Sequence, residues 1–401
     1  MLTLYGLGTI LGAGIYVLVG KVAIHAGIYS PIAFLIAALL ASLTGYSYAA
    51  LTSRYPKSAG EAVYVQEAFN SQRLSRIVGW MVVLTGIVSA ATIANGFVGY
   101  FQVFVPISDF WAITLLITLL TFLAVWGVRE SVVATAVTTI MGIIGLLLVL
   151  MYSAPAFLDV PERLGELTPP LTDGTVWFGI LLGAFLAFYA YIGFEDMVNM
   201  AEEVKEPERT LPKAIVAAII ISSLFYFLIA LAAILQMPLE ELSASNAPIA
   251  DIMKRHSEGM ARFVSLISLA AVVNGALVQI IMCARVLYGM GKNNLAPLWL
   301  SKVHATRKTP YIATMMIGAV VWLLAVNLDL TALAKFTSFV IILVFLLVNI
   351  SLIRILKKEI VTPDHVMKVR VWVPYLASAM CLLFLGIQIY QLTRGEAVAG
   401  H

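Results

Sequence analysis

The sequence predicts an all-α polytopic membrane protein: two five-span halves in inverted repeat with one extra C-terminal span, about 11 transmembrane helices in all. Three observations predict it. Of 401 residues, 61% are hydrophobic and only 12% charged, which leaves too little polar surface to cover a water-soluble body of this size. Apolar runs of about 20 residues, the length that crosses a bilayer, recur along the chain. The first and sixth of these runs are interrupted at corresponding places, the sequence mark of halves related by inverted repeat around a midplane site.

In order, the spans read as 4–25, 29–54, 77–104, 110–127 and 131–157, then 177–201, 212–236, 261–289, 311–327 and 332–355, with 371–392 as the addition. The first repeat is thus residues 1–157, an outer loop follows over 158–176, the second repeat is 177–355, and 356–401 holds the extra span and tail. The first span, "YGLGTILGAGIYVLVG", places Gly6, Gly8, Gly12, Gly14 and Gly20 within sixteen residues. Each glycine costs about 1 kcal/mol against alanine in a helix, so they serve either close packing, as Gly8 and Gly12 would in a G-x-x-x-G pair, or deliberate unwinding. A dinucleotide-binding loop is excluded by the spacing and by the lack of a preceding strand. No basic residue precedes this span and no cleavage site follows it, so it is expected to remain in the mature protein.

Lysine and arginine set the orientation. With the amino terminus cytoplasmic, eighteen of the 25 fall inside, among them Arg54, Lys57, Arg73, Arg76, Arg129, Lys205, Arg209, Lys292 and Lys308; Lys21, Arg163, Lys254, Arg255, Arg262, Lys335 and Arg394 fall outside. The basic residues therefore report topology in a plasma (inner) membrane. They form no basic-aromatic stripe, so no nucleic acid is expected as a partner. The loop with Pro161, Pro169, Pro170 and Gly174 separates the halves. Cys283 and Cys381 sit in apolar runs and the five histidines are scattered, so neither a metal nor a cofactor is expected. The loop "AEEVKEPERTLPKAI" carries helix-stop and helix-start signals at Pro207 and Pro212.

The sixth span, "GAFLAFYAYIGFEDMVNMAEEV", has Gly193 at mid-membrane with Glu195 and Asp196 directly after it. On this topology the first break, near Gly12–Ala13–Gly14, turns free N–H groups and a positive dipole end to the membrane centre. The sixth break, after Phe188–Tyr191, offers free carbonyl oxygens. A zwitterion matches both poles, and unwound backbone at this depth is tolerable only where it lines protein or a watery cavity.

At these residues the chain resembles the amino acid–polyamine–organocation (APC) superfamily. "GTILGAGIYVLVG" is similar to its first-span motif, "SRYPKSAGEAVYVQEAF" to the segment after its second span, "AFYAYIGFEDMVNMAEEVKEPERTLPKAI" to its sixth-span signature and "CARVLYGMGKNNLAPLWLSKVH" to the end of its eighth span. The resemblance implies the leucine-transporter-type fold and a secondary transporter, permease or exchanger, working by alternating access on a small molecule, an amino acid or related amine. It implies that the carboxylate meets N–H groups of Gly12, Ala13 and Gly14 beside Ile10, and that the amine meets carbonyls of Phe188, Ala190 and Tyr191. Tyr189 would be the gate. Gln279, Asn274 and Asn95 are polar groups that reach a substrate or bond between helices.

The departures carry information too. Where relatives place an ionisable residue in the fifth span, this chain has Met141 and Gly142, and Ser265 and Ser268 lie too near the outer end of the eighth span for sodium. Sodium-independent exchange, facilitated diffusion or proton coupling through Glu195 remain, since a carboxylate inside a span is functional by default. Eleven spans in place of twelve, a start inside the first span and "SAGEAVY" without the second glycine and tyrosine of the family's G-G-x-Y leave oligomer contacts and inner-gate closure undefined. The substrate is expected to be a neutral amino acid. The alternatives are a polyamine or cationic amine carrier, a sensor that binds without transporting, or a channel; an enzyme is not expected, and membrane lipid is the expected surrounding partner.

Overall fold

A computed structural model describes residues 2–57, 60–127, 132–292, 295–307, 309–358 and 366–393. Arg129, Lys308 and Arg394, counted above for orientation, lie outside the described residues, as does the end of the expected C-terminal segment. Among the described residues the chain forms helices and no strand. The first span is two helices, α1 (Leu2–Ile10) and α2 (Ala13–Ala26), and α3 (Ser30–Arg54) follows. The short α4 (Gly60–Phe69) lies between spans, and α5 (Gln72–Gln102) starts where the Ser71 hydroxyl accepts the Leu74 N–H. That bond satisfies one of the donors a helix start leaves open.

Then come α6 (Asp109–Trp126), stopped by Gly127 in the left-handed region at φ +89°, α7 (Val132–Ser153) and α8 (Val160–Leu167). In α9 (Gly174–Ala187) the Asp173 carboxylate caps the start by accepting the N–H groups of Thr175 and Val176. Two 3-10 stretches, Phe188–Tyr191 and Glu195–Glu203, replace the rest of the sixth span. The remainder is α10 (Pro207–Gln236), α11 (Leu239–Ala244), α12 (Pro248–Lys254), α13 (Glu258–Lys292), α14 (Tyr311–Asn327), α15 (Leu330–Lys358) and α16 (Trp372–Thr393).

Boundaries differ from the sequence reading by a few residues, most notably at a proline. α10 begins at Pro207, and Pro212, expected to start the helix, lies inside it. Proline needs no N–H partner in a first turn, and here it is accommodated just beyond that turn.

Nine stretches of the described residues are long and apolar enough to cross a membrane; the first, Leu2–Arg54, takes in α1 to α3, and α14 is a shorter apolar helix. The packing pairs the halves: α2 lies on α9, α3 on α10, α5 on α13 and α6 on α14. First is therefore set against sixth, second against seventh, third against eighth and fourth against ninth. Leu35, Trp111, Phe122, Leu224, Leu323 and Leu382 are exposed on the outside, as lipid contact requires. The aromatic core lies inward, with the Tyr48, Phe194 and Phe345 rings 5.2 to 5.4 Å apart.

Candidate functional site at the two helix interruptions

The two breaks meet at mid-molecule. α1 stops at Ile10 and α2 restarts at Ala13, while the sixth span leaves its helix at Phe188 and turns at Gly193. Gly193 takes φ +127°, open to glycine alone at little strain, and a Cβ there would stand 2.7 Å from the Thr9 carbonyl oxygen. Gly14 lets the chains touch from the other side, since a Cβ on it would lie 2.5 Å from the Ala190 Cα. Gly14, one of the first-span glycines that looked costly in a helix, and Gly193 are thus where main chain packs on main chain.

Hydroxyls lace the breaks together. Thr9 Oγ1 is 2.9 Å from the Gly193 carbonyl oxygen and 2.9 Å from that of Gly6. The Tyr226 hydroxyl, on α10, lies 2.5 Å from the Ile10 carbonyl oxygen and 2.7 Å from that of Ala190. A phenol has one proton to donate, so the two carbonyls share it in turn. Tyr16 donates to the Gly142 carbonyl at 2.7 Å, so Gly142 is bonded to α2 through its backbone.

A narrow cleft lies between the breaks and α5 and α13. Ile10, Gly12, Gly14, Ala190, Gln279 and Tyr189, all named from sequence, line it. Gly12 faces the cleft, and a Cβ on it would meet only carbonyls of Gly8 and Thr9, at 3.6 and 3.8 Å. The G-x-x-x-G packing pair is therefore not how Gly12 is used. Tyr189 closes one side, its hydroxyl 3.1 Å from both the hydroxyl and the carbonyl oxygen of Ser89 on α5.

Phe188 and Tyr191 turn away from the cleft. Phe188 packs edge-on against Phe345 and Phe384, and Tyr191 packs edge-on against Tyr226 and donates to the Phe34 carbonyl. Neither lines the space. Asn95 donates to the Ala325 carbonyl at 3.0 Å, an interhelical bond, and Ser265 and Ser268 bond carbonyls of their own helix. Sequence reading missed Thr9, Ser89, Ile93, Gly275, Val278 and Tyr226. A hydroxyl beside the break marked Thr9; nothing local marks the others.

Carboxyls gather on the side of the cleft where α5 begins. Glu195 Oε2 accepts the Gly193 N–H at 2.8 Å, capping the turn, and Asp196 Oδ2 accepts from Gln279 Nε2 at 2.9 Å. Glu61 on α4 accepts from the Tyr48 hydroxyl at 3.2 Å. All three carboxyls are buried and near enough to act on one another electrostatically. Burial pushes the Glu61 carboxyl up to about 7, against the hydrogen bond from Tyr48. Among the described residues, no carboxyl lines the cleft itself.

Residues 2–396 match the family described as amino acid permease. The branched-chain amino acid permease BcaP of Bacillus subtilis is 30% identical over 382 residues, 89% of this chain and 80% of that protein. The mitochondrial cationic amino acid transporter 3 of Arabidopsis thaliana is 28% identical over 90% of this chain, which spans 62% of that relative. The methylthioribose transporter of B. subtilis is 28% identical over 96% of this chain and 86% of its own length.

Proposed function

From the premise that the chain belongs to the amino acid permease family, we propose that it carries neutral, apolar amino acids across a plasma membrane by alternating access, as a sodium-independent carrier with its amino terminus cytoplasmic. One observation carries the reading: the cleft lies where the start of α2, at Gly12 and Gly14, meets the end of the sixth span's outer half-helix, at Tyr189 and Ala190. Oriented backbone dipoles at that depth suit a zwitterion, with the carboxylate toward Gly12 and Gly14 and the ammonium toward Ala190.

The side-chain end of the cleft is formed by Ile93, Ile192, Gly275 and Val278, and among the described residues no acidic one lines it. Aliphatic side chains are favoured there, and a guanidinium or second ammonium would be desolvated without a partner. Tyr189, bonded to Ser89 across the cleft, is the gate in this reading. Glu195 is the group through which any proton dependence acts.

Counterflow in proteoliposomes tests the proposal. Preloaded isoleucine, leucine or valine should accelerate uptake of the labelled amino acid, while arginine and putrescine do not compete. Uptake without trans-stimulation would make the protein a channel, and stabilisation by ligand without any flux would make it a sensor. Competition by arginine or putrescine would move the substrate to the cationic class.

A further inference from the structure

Between Glu258 and Asp329 the chain carries no acidic residue. The connection from α13 to α14 lies within that stretch and holds Lys292, Lys302, His304, Arg307 and Lys308, of which Lys308 is outside the described residues. Lys292, Lys302 and Arg307 are exposed, and none of them has an acidic partner among the described residues. Positive charge is thus left unbalanced at this corner of the bundle.

The fold gives that charge a fixed place. The turn after Lys302 is closed by the His304 N–H, which donates to the Thr309 carbonyl at 2.9 Å, and by the Arg307 N–H, which donates to His304 Nδ1 at 3.4 Å. The Thr309 hydroxyl donates to the Val125 carbonyl at 2.9 Å and moors the turn on the last residues of α6. Gly127 permits the approach, since a Cβ there would stand 3.2 Å from Thr309 Cγ2. Arg307 is thereby held over the face of Trp126, its guanidinium carbon 3.6 Å from the ring centre and its Nη1 3.4 Å from the Trp126 carbonyl oxygen. A guanidinium has five N–H donors. One is spent on this carbonyl and the others bond nothing among the described residues, which leaves a fork suited to two phosphate oxygens.

The neighbouring surface is apolar. Trp126 and Phe122, with ring centres 5.3 Å apart, are both exposed on α6. In the 3-10 turn Leu298–Ser301, Leu298 and Trp299 are exposed while Leu300 is buried. A tryptophan at the end of a span marks the bilayer interface, so Arg307 lies at headgroup depth beside surface that suits hydrocarbon. Unpaired positive charge next to exposed apolar side chains at that depth matches a phosphate ester that carries acyl chains.

We infer that the corner formed by α6 and the α13–α14 connection seats an anionic phospholipid, with its phosphate on Arg307 and an acyl chain along Phe122 and Trp126. Lys292 and Lys302 select a lipid of net negative charge over a zwitterionic one, whose headgroup would add a further cation to theirs. On the proposed orientation the lipid belongs to the inner leaflet. The seat does not depend on what the chain transports.

Native mass spectrometry of the purified full chain in detergent tests this, with dioleoylphosphatidylglycerol and dioleoylphosphatidylcholine as the probes. The glycerol lipid should stay bound at collision energies that strip the choline lipid, and it should raise the melting temperature further. Arg307→Ala should weaken its retention about fivefold, the weight of one basic residue at an anionic surface. Lys302→Ala should do about the same, and carries the test where the Arg307 variant does not fold. Arg163→Ala, on the connector between α7 and α9, should change nothing. Equal retention of the two lipids, or unchanged retention in a folded Arg307→Ala or in Lys302→Ala, would overturn the seat. So would equal stabilisation by inorganic phosphate or glycerol 3-phosphate, which would make it a site for free anions. Counterflow measured alongside separates the two ideas: selective lipid binding without flux removes the permease reading alone, and flux without selective binding removes the seat alone.

Discussion

Tyr226 holds its hydroxyl 2.7 Å from the carbonyl oxygen of Ala190, with the Ile10 carbonyl on its other side. The tyrosine is fully buried, so no bulk water relieves these carbonyls in its place. Tyr226→Phe should lower the thermal stability of the purified protein by about 1–3 kcal/mol, the cost of leaving buried acceptors unpaired. A melting temperature equal to the parent's would show that the carbonyls find other donors and that the phenol is idle.

Two glycines facing the same region should respond in opposite ways to one added methyl. Gly14→Ala drives a Cβ to 2.5 Å from the Ala190 main chain, which has no rotamer to yield with; destabilisation of about 1–3 kcal/mol or failure to fold should follow. Gly275→Ala meets nothing nearer than Ile93 Cδ1 at 3.7 Å, and the residue is in mid-helix, so folding should be retained or improved by up to about 1 kcal/mol. The new methyl occupies the cleft. Ligand-induced thermal shifts should therefore weaken for isoleucine and leucine before they weaken for alanine or glycine.

Glu61 makes stability depend on pH in a definite direction. Its folded-state pKa is raised by burial to about 7 from the model-peptide 4.5, so between these values the folded chain keeps a proton that the unfolded chain has released. Stability should be fullest below the lower value and fall as pH rises through the window, by on the order of 3 kcal/mol in total. Thermal melts from pH 4.5 to 8 should show this slope in the parent and a flatter one in Glu61→Gln. A parent whose stability rises over that range would contradict the assignment.

Glu195 is placed to cap and, in the proposed reading, to couple. Glu195→Gln retains an oxygen that can accept the Gly193 N–H, so the turn should persist while the titrating group is lost. Uptake should then lose its pH dependence and exchange should continue. An unchanged pH profile would leave Glu195 with the capping role alone.

Much of this was legible because it depends on local chemistry. A glycine-rich first span and Gly193 followed by two acidic residues announce interruptions wherever they occur in an apolar run, and half-helix polarity follows from chain direction. Contacts across the chain are different. Tyr226 and Ile10 are 216 residues apart, so no spacing encodes their bond, and a tyrosine in "LFYFLIA" reads as one more core aromatic. In the stretch whose carbonyls were expected to meet the amine, a 3-10 turn has about three residues per turn, so neighbouring side chains point to different sides. Tyr189 and Ala190 reach the cleft, while Phe188 and Tyr191 pack into the core. Pro212 misled because proline stops helices in general and is tolerated near their starts.

Thr9, Gly14 and Tyr226 fasten one interruption to the other, and this has a bearing on discrimination. On the proposed reading the positive and negative poles cannot be withdrawn separately, so a zwitterion is gripped or released at its two ends in a single event. A plain amine or a plain carboxylic acid of the same bulk would satisfy one pole and leave the opposite one bare, and the protein would judge it by that empty end.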